Sequence, residues 1–454
     1  MLTLVSACML WSFSAFGQTV TQSSNTWDGS IEQKVMGLVT VWSEAKVNFP
    51  FFDQRQGLDW DEKVREYLPR AISAPDIDSY YDVLCEFAAL LKDGHTAVNR
   101  PVSPLDSSND WPPLEVQVVD DKYIVARLER TAELTKNNVY AGLEIIEVDG
   151  VPVVEYFHTH VTRFESRGTQ HADEALNIYK LLLGPKNTEV RIRVKDWHGK
   201  ERSVVLTRNS ATKSGGRFLP RLLEWYLTES PIAVKKMQHG ILYVTIANFG
   251  NDQVVAEFLR IFDQIDWNDT KGVILDIRFN PGGDDQFAWP IISCFINSPI
   301  PSLIWKSPKY VPARASWGQA PEWEQGPLVG DIQPRDGKRF SGPLVILTGH
   351  ATYSTAEDFI IPFDYSGRAV LVGETTAGST GNPLRVSLPG GGNFRVVTLR
   401  TLYPDGREWV GRGIQPCIEA HPLQIDIYEG RDPILAKGIE VIRNWDVYNK
   451  AKRP

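Results

Sequence analysis

Cysteine is scarce in this chain, with four in 454 residues. Cys85, Cys294 and Cys417 are far apart and lack metal-ligand spacing, and one disulfide among them stays open in an exported protein. Cys85 and Cys294 fall in apolar stretches, so buried free thiols are expected, with no metal and no cofactor. Basic runs are also absent, and the formal net charge is −8. That excludes nucleic acid as the main partner. Internal repeats and low-complexity segments are missing as well. Apolar content of 42% and charged content of 23% are those of an ordinary globular protein, long enough for several domains with real cores.

One apolar run stands out, Leu2 to Phe16. It is too short to span a bilayer comfortably. Small residues at Ala15 and Gly17 suit a signal peptidase, although no Lys or Arg precedes the run. Residues 1–17 are therefore expected to be a leader cleaved near Gln18, giving an exported (periplasmic or extracellular) protein. Val5-Ser6-Ala7-Cys8 has the look of a lipobox, but apolar residues continue past Cys8, which disfavours lipid anchoring.

Patterning then divides the chain. From Ser30 to about Leu91 the apolar spacing is helical, as at Val35, Leu38, Val39 and Trp42. The expectation is a helical N-terminal domain over 28–105, followed by a proline-rich linker. Residues 110–210 read as short strands with a helix near Asp173–Leu183. Asp149-Gly150 is a tight-turn pair between two of those strands. Gly142-Leu143-Glu144-Ile145 running into Val148-Asp149-Gly150-Val151-Pro152 resembles a PDZ-domain segment, so this region is expected to be PDZ-like. Residues 236–447 carry continuous apolar runs ending in glycine-rich loops, the mark of an α/β core with strands buried on both faces. Three strand–loop–helix passages are expected there, following Gly272–Arg278, Val345–Thr348 and Ala369–Glu374. A helical pattern at Asp432–Trp445 closes the domain.

The second passage places Ser354 where a strand hands over to a helix. Backbone N–H groups are free at such a junction, and a serine there needs only a base to become a nucleophile. The plain alternative is a helix cap. Asn280-Pro281-Gly282-Gly283 follows another buried strand, and its glycines let a ligand approach the backbone. The amides of Thr355 and of Gly282 or Gly283 are candidate oxyanion donors. Glu357 reads as a first-turn acid favoured by the helix dipole. Among eight histidines, the residues alone do not choose a base; His95 and His350 are the candidates.

Taken in order, Leu91–Val98, Ile274–Gly283, Tyr353–Phe359, Gly373–Gly378 and Asp405–Pro416 resemble the C-terminal processing (tail-specific) serine peptidases. The resemblance spans about residues 30–445. It implies a crotonase-like α/β catalytic core with a helical N-terminal domain and a PDZ-like insertion. The family's lysine variant has its lysine where this chain reads Gly378-Ser379-Thr380-Gly381, so that variant is excluded. The tricorn-like variant implies Ser354 as nucleophile, His95 as base and Glu408 as the group orienting the base. That variant often has a serine before the histidine, where Gly94 stands here, and family members often have Asp at the position of Cys417. Ser379 is a candidate for hydrogen bonding near the site, and His350 is the rival base. The implied function is a serine endopeptidase acting on polypeptides through an acyl-enzyme, with substrate C-termini captured at the PDZ-like domain. The alternatives are a non-catalytic peptide- or hydrophobic-ligand-binding protein on the same fold, and a hydratase-like enzyme of the crotonase type.

Overall fold

The computed structural model describes residues 27–102, 108–210 and 218–448. The expected leader and Cys8 lie outside the described residues. Among the described residues, no helix is long and apolar enough to cross a membrane. Cys85, Cys294 and Cys417 are all free thiols. Burial pushes the Cys85 thiol up to about 12 and that of Cys294 up to about 11, so both are held protonated and unreactive.

The N-terminal region forms helices Ile31–Asn48, Trp60–Ser73 and Ile77–Ala89. Ser30, Asp59 and Asp76 cap them by accepting from the amides of Gln33, Glu62 and Ser79. Leu38, Val41, Leu84 and Phe87 are fully buried between them, and Trp60 stacks on Phe87 with centroids 4.1 Å apart.

The middle region is an antiparallel sheet of strands Leu114–Val119, Lys122–Leu128, Glu144–Val148, Glu189–Lys195 and Glu201–Thr207, in that spatial order. Asp149 and Gly150, at φ of 49° and 83°, make the expected tight turn into Val151–Pro152. The helix runs over Gln170–Asn177 and tightens into a 3₁₀ turn at Ile178–Lys180. It starts three residues before the expected Asp173, where the Thr169 side chain caps it, and ends short of Leu183. This sheet closes over its own core, including Ile145, Val148, Ile192 and Leu206.

The C-terminal region is built on a six-stranded sheet. Its order is Ile232–Lys236, Ile241–Ile246, Gly272–Asp276, Leu344–Thr348, Val370–Gly373 and Ile418–Glu419. The first pair is antiparallel and the rest are parallel. Gly272–Asp276, Leu344–Thr348 and Val370–Gly373 are buried at every position, as their unbroken apolar runs require. Helix Pro433–Arg443 covers one face through Ile434, Val441 and Ile442. Helices Asp252–Gln264 and Thr355–Tyr365 lie among the residues of the other core. The third expected passage differs. Strand Val370–Gly373 runs into an irregular loop rather than a helix, because the Gly378 and Ser379 amides bond the buried Glu357 side chain instead of a helical ladder.

The N-terminal helices share their hydrophobic core with this sheet. Strand Ala97–Asn99 pairs with Asn393–Val396. The Tyr81 hydroxyl donates to the Pro389 carbonyl at 2.7 Å and accepts from the Gly392 amide at 3.0 Å. These ties fix the turn between helix Ile77–Ala89 and strand Ala97–Asn99, which carries His95.

Candidate active site

Ser354 follows strand Leu344–Thr348 and precedes helix Thr355–Tyr365. Its backbone has φ 60° and ψ −131°, a conformation costly for any residue with a Cβ. The surroundings hold it there: the Ser354 amide donates to the Ser379 carbonyl at 3.1 Å and to the Glu357 carboxylate at 3.2 Å. Ser354 and Glu357 stand in the positions of a capping box at the helix start. Its hydroxyl lies 2.9 Å from Nε2 of His95.

His95 is positioned by its own turn. Its amide donates to the Asp93 carboxylate at 3.0 Å, its carbonyl accepts from Arg395 Nε at 3.3 Å, and its ring stacks on Tyr353 with centroids 4.7 Å apart. The other ring nitrogen, Nδ1, lies 2.9 Å from Ser379 Oγ and 3.0 Å from the Tyr353 hydroxyl. The Tyr353 hydroxyl donates to the Gly94 carbonyl at 2.5 Å. Its oxygen therefore faces Nδ1 as an acceptor. This network places the imidazole proton on Nδ1 and leaves the Nε2 lone pair facing Ser354. Burial, then the Arg395 and Arg167 guanidiniums, hold the imidazole well below its usual range, so it is neutral at pH 7. A side chain at position 94 would run into Ser379 Oγ, the Arg167 carbonyl and the Tyr353 hydroxyl, each 2.8 Å from an added Cβ. Gly94 is the residue that this packing permits.

Glu408 is not brought to this site. Its carboxylate pairs with Arg400 at 3.0 Å and accepts from Gln54 at 3.4 Å. Arg400 is almost fully buried and also bonds the Pro50 carbonyl and Asp53. A buried guanidinium demands acceptors, and Glu408 answers that demand instead of orienting His95. His350 is also directed elsewhere. Its Nδ1 donates to the Thr375 carbonyl at 2.9 Å, and it lines a separate cavity of about 280 Å³ with Arg278, Glu374 and Asp432. Four residues of sequence do not bring it to Ser354, because the chain reverses between them through the Thr352–Gly349 turn.

Glu357 does more than favour a helix dipole. It is fully buried. One carboxylate oxygen accepts from Thr376 Oγ1 at 2.5 Å and the Gly378 amide at 2.6 Å; the other accepts from the amides of Ser379 at 3.0 Å and Ser354 at 3.2 Å. Burial pushes its pKa up, and these four donors pull against that shift. One side chain thus ties the backbone of Ser354 to that of Ser379. The S-x-x-E spacing signalled a cap; burial in the loop after Gly373 left no mark in the sequence. Tyr353 gave no signal either.

Of the oxyanion candidates, the Gly282 amide is already donated to Asn280 Oδ1 at 2.8 Å. The Gly283 and Thr355 amides have no acceptor among the described residues. A Cβ at Gly282 would fall 2.6 Å from Ser354 Cβ and 2.8 Å from the Thr355 nitrogen, so this loop is pressed directly against the serine. Ser354, His95, Gly282 and Gly283 open onto one cleft of about 740 Å³. No cluster of His, Cys, Asp and Glu able to hold a metal ion occurs among the described residues.

Residues 240–420 match the model of peptidase family S41. The chain is 22% identical over 336 residues to the carboxy-terminal processing protease CtpB of Bacillus subtilis (strain 168), covering 68% of this chain and 64% of that protein. It is 23% identical over 188 residues to CtpA of the same organism, covering 39% of this chain and 34% of that protein. The chain therefore spans less than two thirds of the length of these curated relatives. Among solved structures, mature CPAF complexed with lactacystin superposes with a TM-score of 0.71 at 15% identity, covering 92% of this chain and 99% of that one. The photosystem II D1 C-terminal processing protease has a TM-score of 0.50 at 18% identity, covering 86% and 93%. At these identities the structural likeness speaks for the fold, and the family model speaks for residues 240–420, which are similar to peptidase family S41.

Proposed function

We propose that this protein is an exported serine endopeptidase that cleaves polypeptides through an acyl-enzyme on Ser354. The single observation carrying this reading is the 2.9 Å approach of His95 Nε2 to Ser354 Oγ between residues 259 positions apart. As the Ser354 oxygen bonds to the scissile carbonyl carbon, its proton passes to His95 Nε2. The same proton then goes to the leaving amine as the C–N bond breaks, and water resolves the ester by the reverse route. The Thr355 and Gly283 amides receive the developing oxyanion. Ser379 and Tyr353 accept from Nδ1–H and orient the ring, the part first expected of Glu408.

The middle region is the proposed PDZ-like unit. Its edge strand Leu114–Val119 and the neighbouring helix Gln170–Asn177 suit capture of a substrate tail by strand addition. The apolar run at residues 2–16 supports export.

Labelling with a fluorophosphonate followed by peptide mapping tests the nucleophile directly. Modification at Ser354, lost in Ser354→Ala, is the expected result. An unlabelled Ser354 in folded protein, with no hydrolysis of an unfolded polypeptide, would turn the reading towards a binding protein.

A further inference from the structure

The catalytic cleft has a charge opposite to that of the chain. The protein is net −8, yet the charged side chains lining the cleft over Ser354 are Arg167, Arg385 and Arg395, with no Asp or Glu among the lining residues. Arg167 is offset by its ion pair with Glu165, which also takes Lys180. Arg385 and Arg395 have no such partner among the described residues. Arg395 donates to the His95 carbonyl, which anchors it one bond away from the base's own backbone.

Their placement is costly. Strands Leu384–Ser387 and Asn393–Val396 pair so that Arg385 stands directly opposite Arg395, and like charges in that register repel. Arg395 is deprived of water by burial and repelled by Arg385 and Arg167, with Tyr353 and the Asp93 carboxylate pulling the other way. A planar carboxylate matches two guanidiniums in both charge and geometry, and would relieve this repulsion. The cleft also carries Leu222, Leu223, Tyr226 and Leu227, so apolar substrate residues have a place beside a charged one.

We propose that Arg385 and Arg395 form a receptor for a substrate carboxylate close to the scissile bond, supplied by an acidic side chain or by a free C-terminus. This rests on the peptidase reading above. The bound carboxylate has a second effect. His95 must become positively charged during turnover within reach of the Arg395 and Arg167 guanidiniums, and a substrate anion on Arg395 counters part of that repulsion. Acidity in the substrate thus raises turnover as well as binding.

The test uses internally quenched peptides from one parent free of charged residues. Glu, Gln or Lys is placed at each position around the cut, and each peptide is made with a C-terminal acid or amide. Glu at one position is expected to raise kcat/KM at least about tenfold over Gln. If the C-terminus is the source, acid over amide does so instead. The arm that responds identifies the source. Arg385→Glu is expected to turn the preference towards Lys or the amide. Equal cleavage of the whole series by the unmodified enzyme overturns the proposal and leaves the peptidase reading standing. Binding of the same peptides to Ser354→Ala, followed by fluorescence anisotropy, reads charge recognition without catalysis. Tighter binding of acidic peptides, lost in the double variant with Arg385→Glu, supports the proposal, and equal binding overturns it. Failure of the fluorophosphonate to label Ser354 overturns the peptidase reading alone.

Discussion

The hydroxyl of Ser379 lies 2.9 Å from Nδ1 of His95, in the place where many serine hydrolases put a carboxylate. A neutral acceptor fixes the tautomer of the ring but gives less support to the imidazolium that forms during turnover. Ser379→Ala removes one of two acceptors, the Tyr353 hydroxyl being the other. The expected result is a loss of about tenfold in kcat, the worth of one hydrogen bond of this kind, with little change in KM. Ser379→Thr should restore most of it. Glu408→Gln weakens the support of buried Arg400, so its main effect should be a lower Tm in a thermal melt. If Glu408→Gln costs far more kcat than Ser379→Ala, Glu408 takes part in orienting His95 after all.

The base itself is the next test. His95→Ala should cost about 10²–10⁴-fold in kcat/KM, the usual contribution of a general base. His350→Ala should cost much less, since that imidazole bonds the Thr375 carbonyl in a different cavity. A reversal of this order would move the base to His350.

The pH dependence follows from the same ring. His95 acts as a base only when neutral, and burial together with Arg395 and Arg167 lowers its pKa below the ordinary 6.5. Activity therefore rises with pH through an apparent pKa below that value, and the acidic limb of kcat/KM against pH lies to the acid side of 6.5. Replacing Arg395 by Gln removes one repelling charge, so the limb should move upward towards 6.5. A limb at or above 6.5 in the unmodified enzyme would contradict the depressed basicity.

Much of this fold was legible because its signals are local. The helical apolar spacing from Ser30 to about Leu91, the Asp149-Gly150 turn and the unbroken apolar runs at Gly272–Asp276 and Leu344–Thr348 each state their structure within a few residues. The meeting of Ser354 and His95 was legible through motif order. What escaped was set by contacts across the chain. Whether Glu408 meets His95 or Arg400 depends on the loop around Pro50, hundreds of residues away. The helix absent after Gly373 depends on Glu357 taking the loop's amides. Hydropathy spacing carries neither fact.

Glu357 joins the two halves of the site, so its replacement should separate chemistry from fold only in part. Glu357→Gln keeps the volume but turns an NH₂ group towards at least one of the four donors. Each donor left unsatisfied in a buried place costs about 1–3 kcal/mol. The expected outcome is a Tm lowered by several degrees and a fluorophosphonate labelling rate at Ser354 reduced at least about tenfold, since the strained backbone of Ser354 loses one of its holds. Unchanged labelling with unchanged Tm would show that the carboxylate is dispensable.

Gly282 offers the sharpest steric test. Its φ of +89° already disfavours a side chain, and an added Cβ would fall 2.6 Å from Ser354 Cβ, 2.7 Å from the Tyr353 carbonyl and 2.8 Å from the Thr355 amide. Two of those atoms are backbone and cannot give way by rotating a side chain. Gly318, at φ +68°, has nothing within 4 Å of an added Cβ and isolates the cost of conformation from the cost of collision. Gly318→Ala should lower stability by about 1–2 kcal/mol with kcat/KM nearly intact. Gly282→Ala should lower stability further and reduce kcat/KM by about 10²-fold or more, because the loop and the serine must move apart and the oxyanion donors move with them. If the two variants lose activity alike in proportion to their loss of stability, the Gly282 loop serves the fold and has no part in the chemistry.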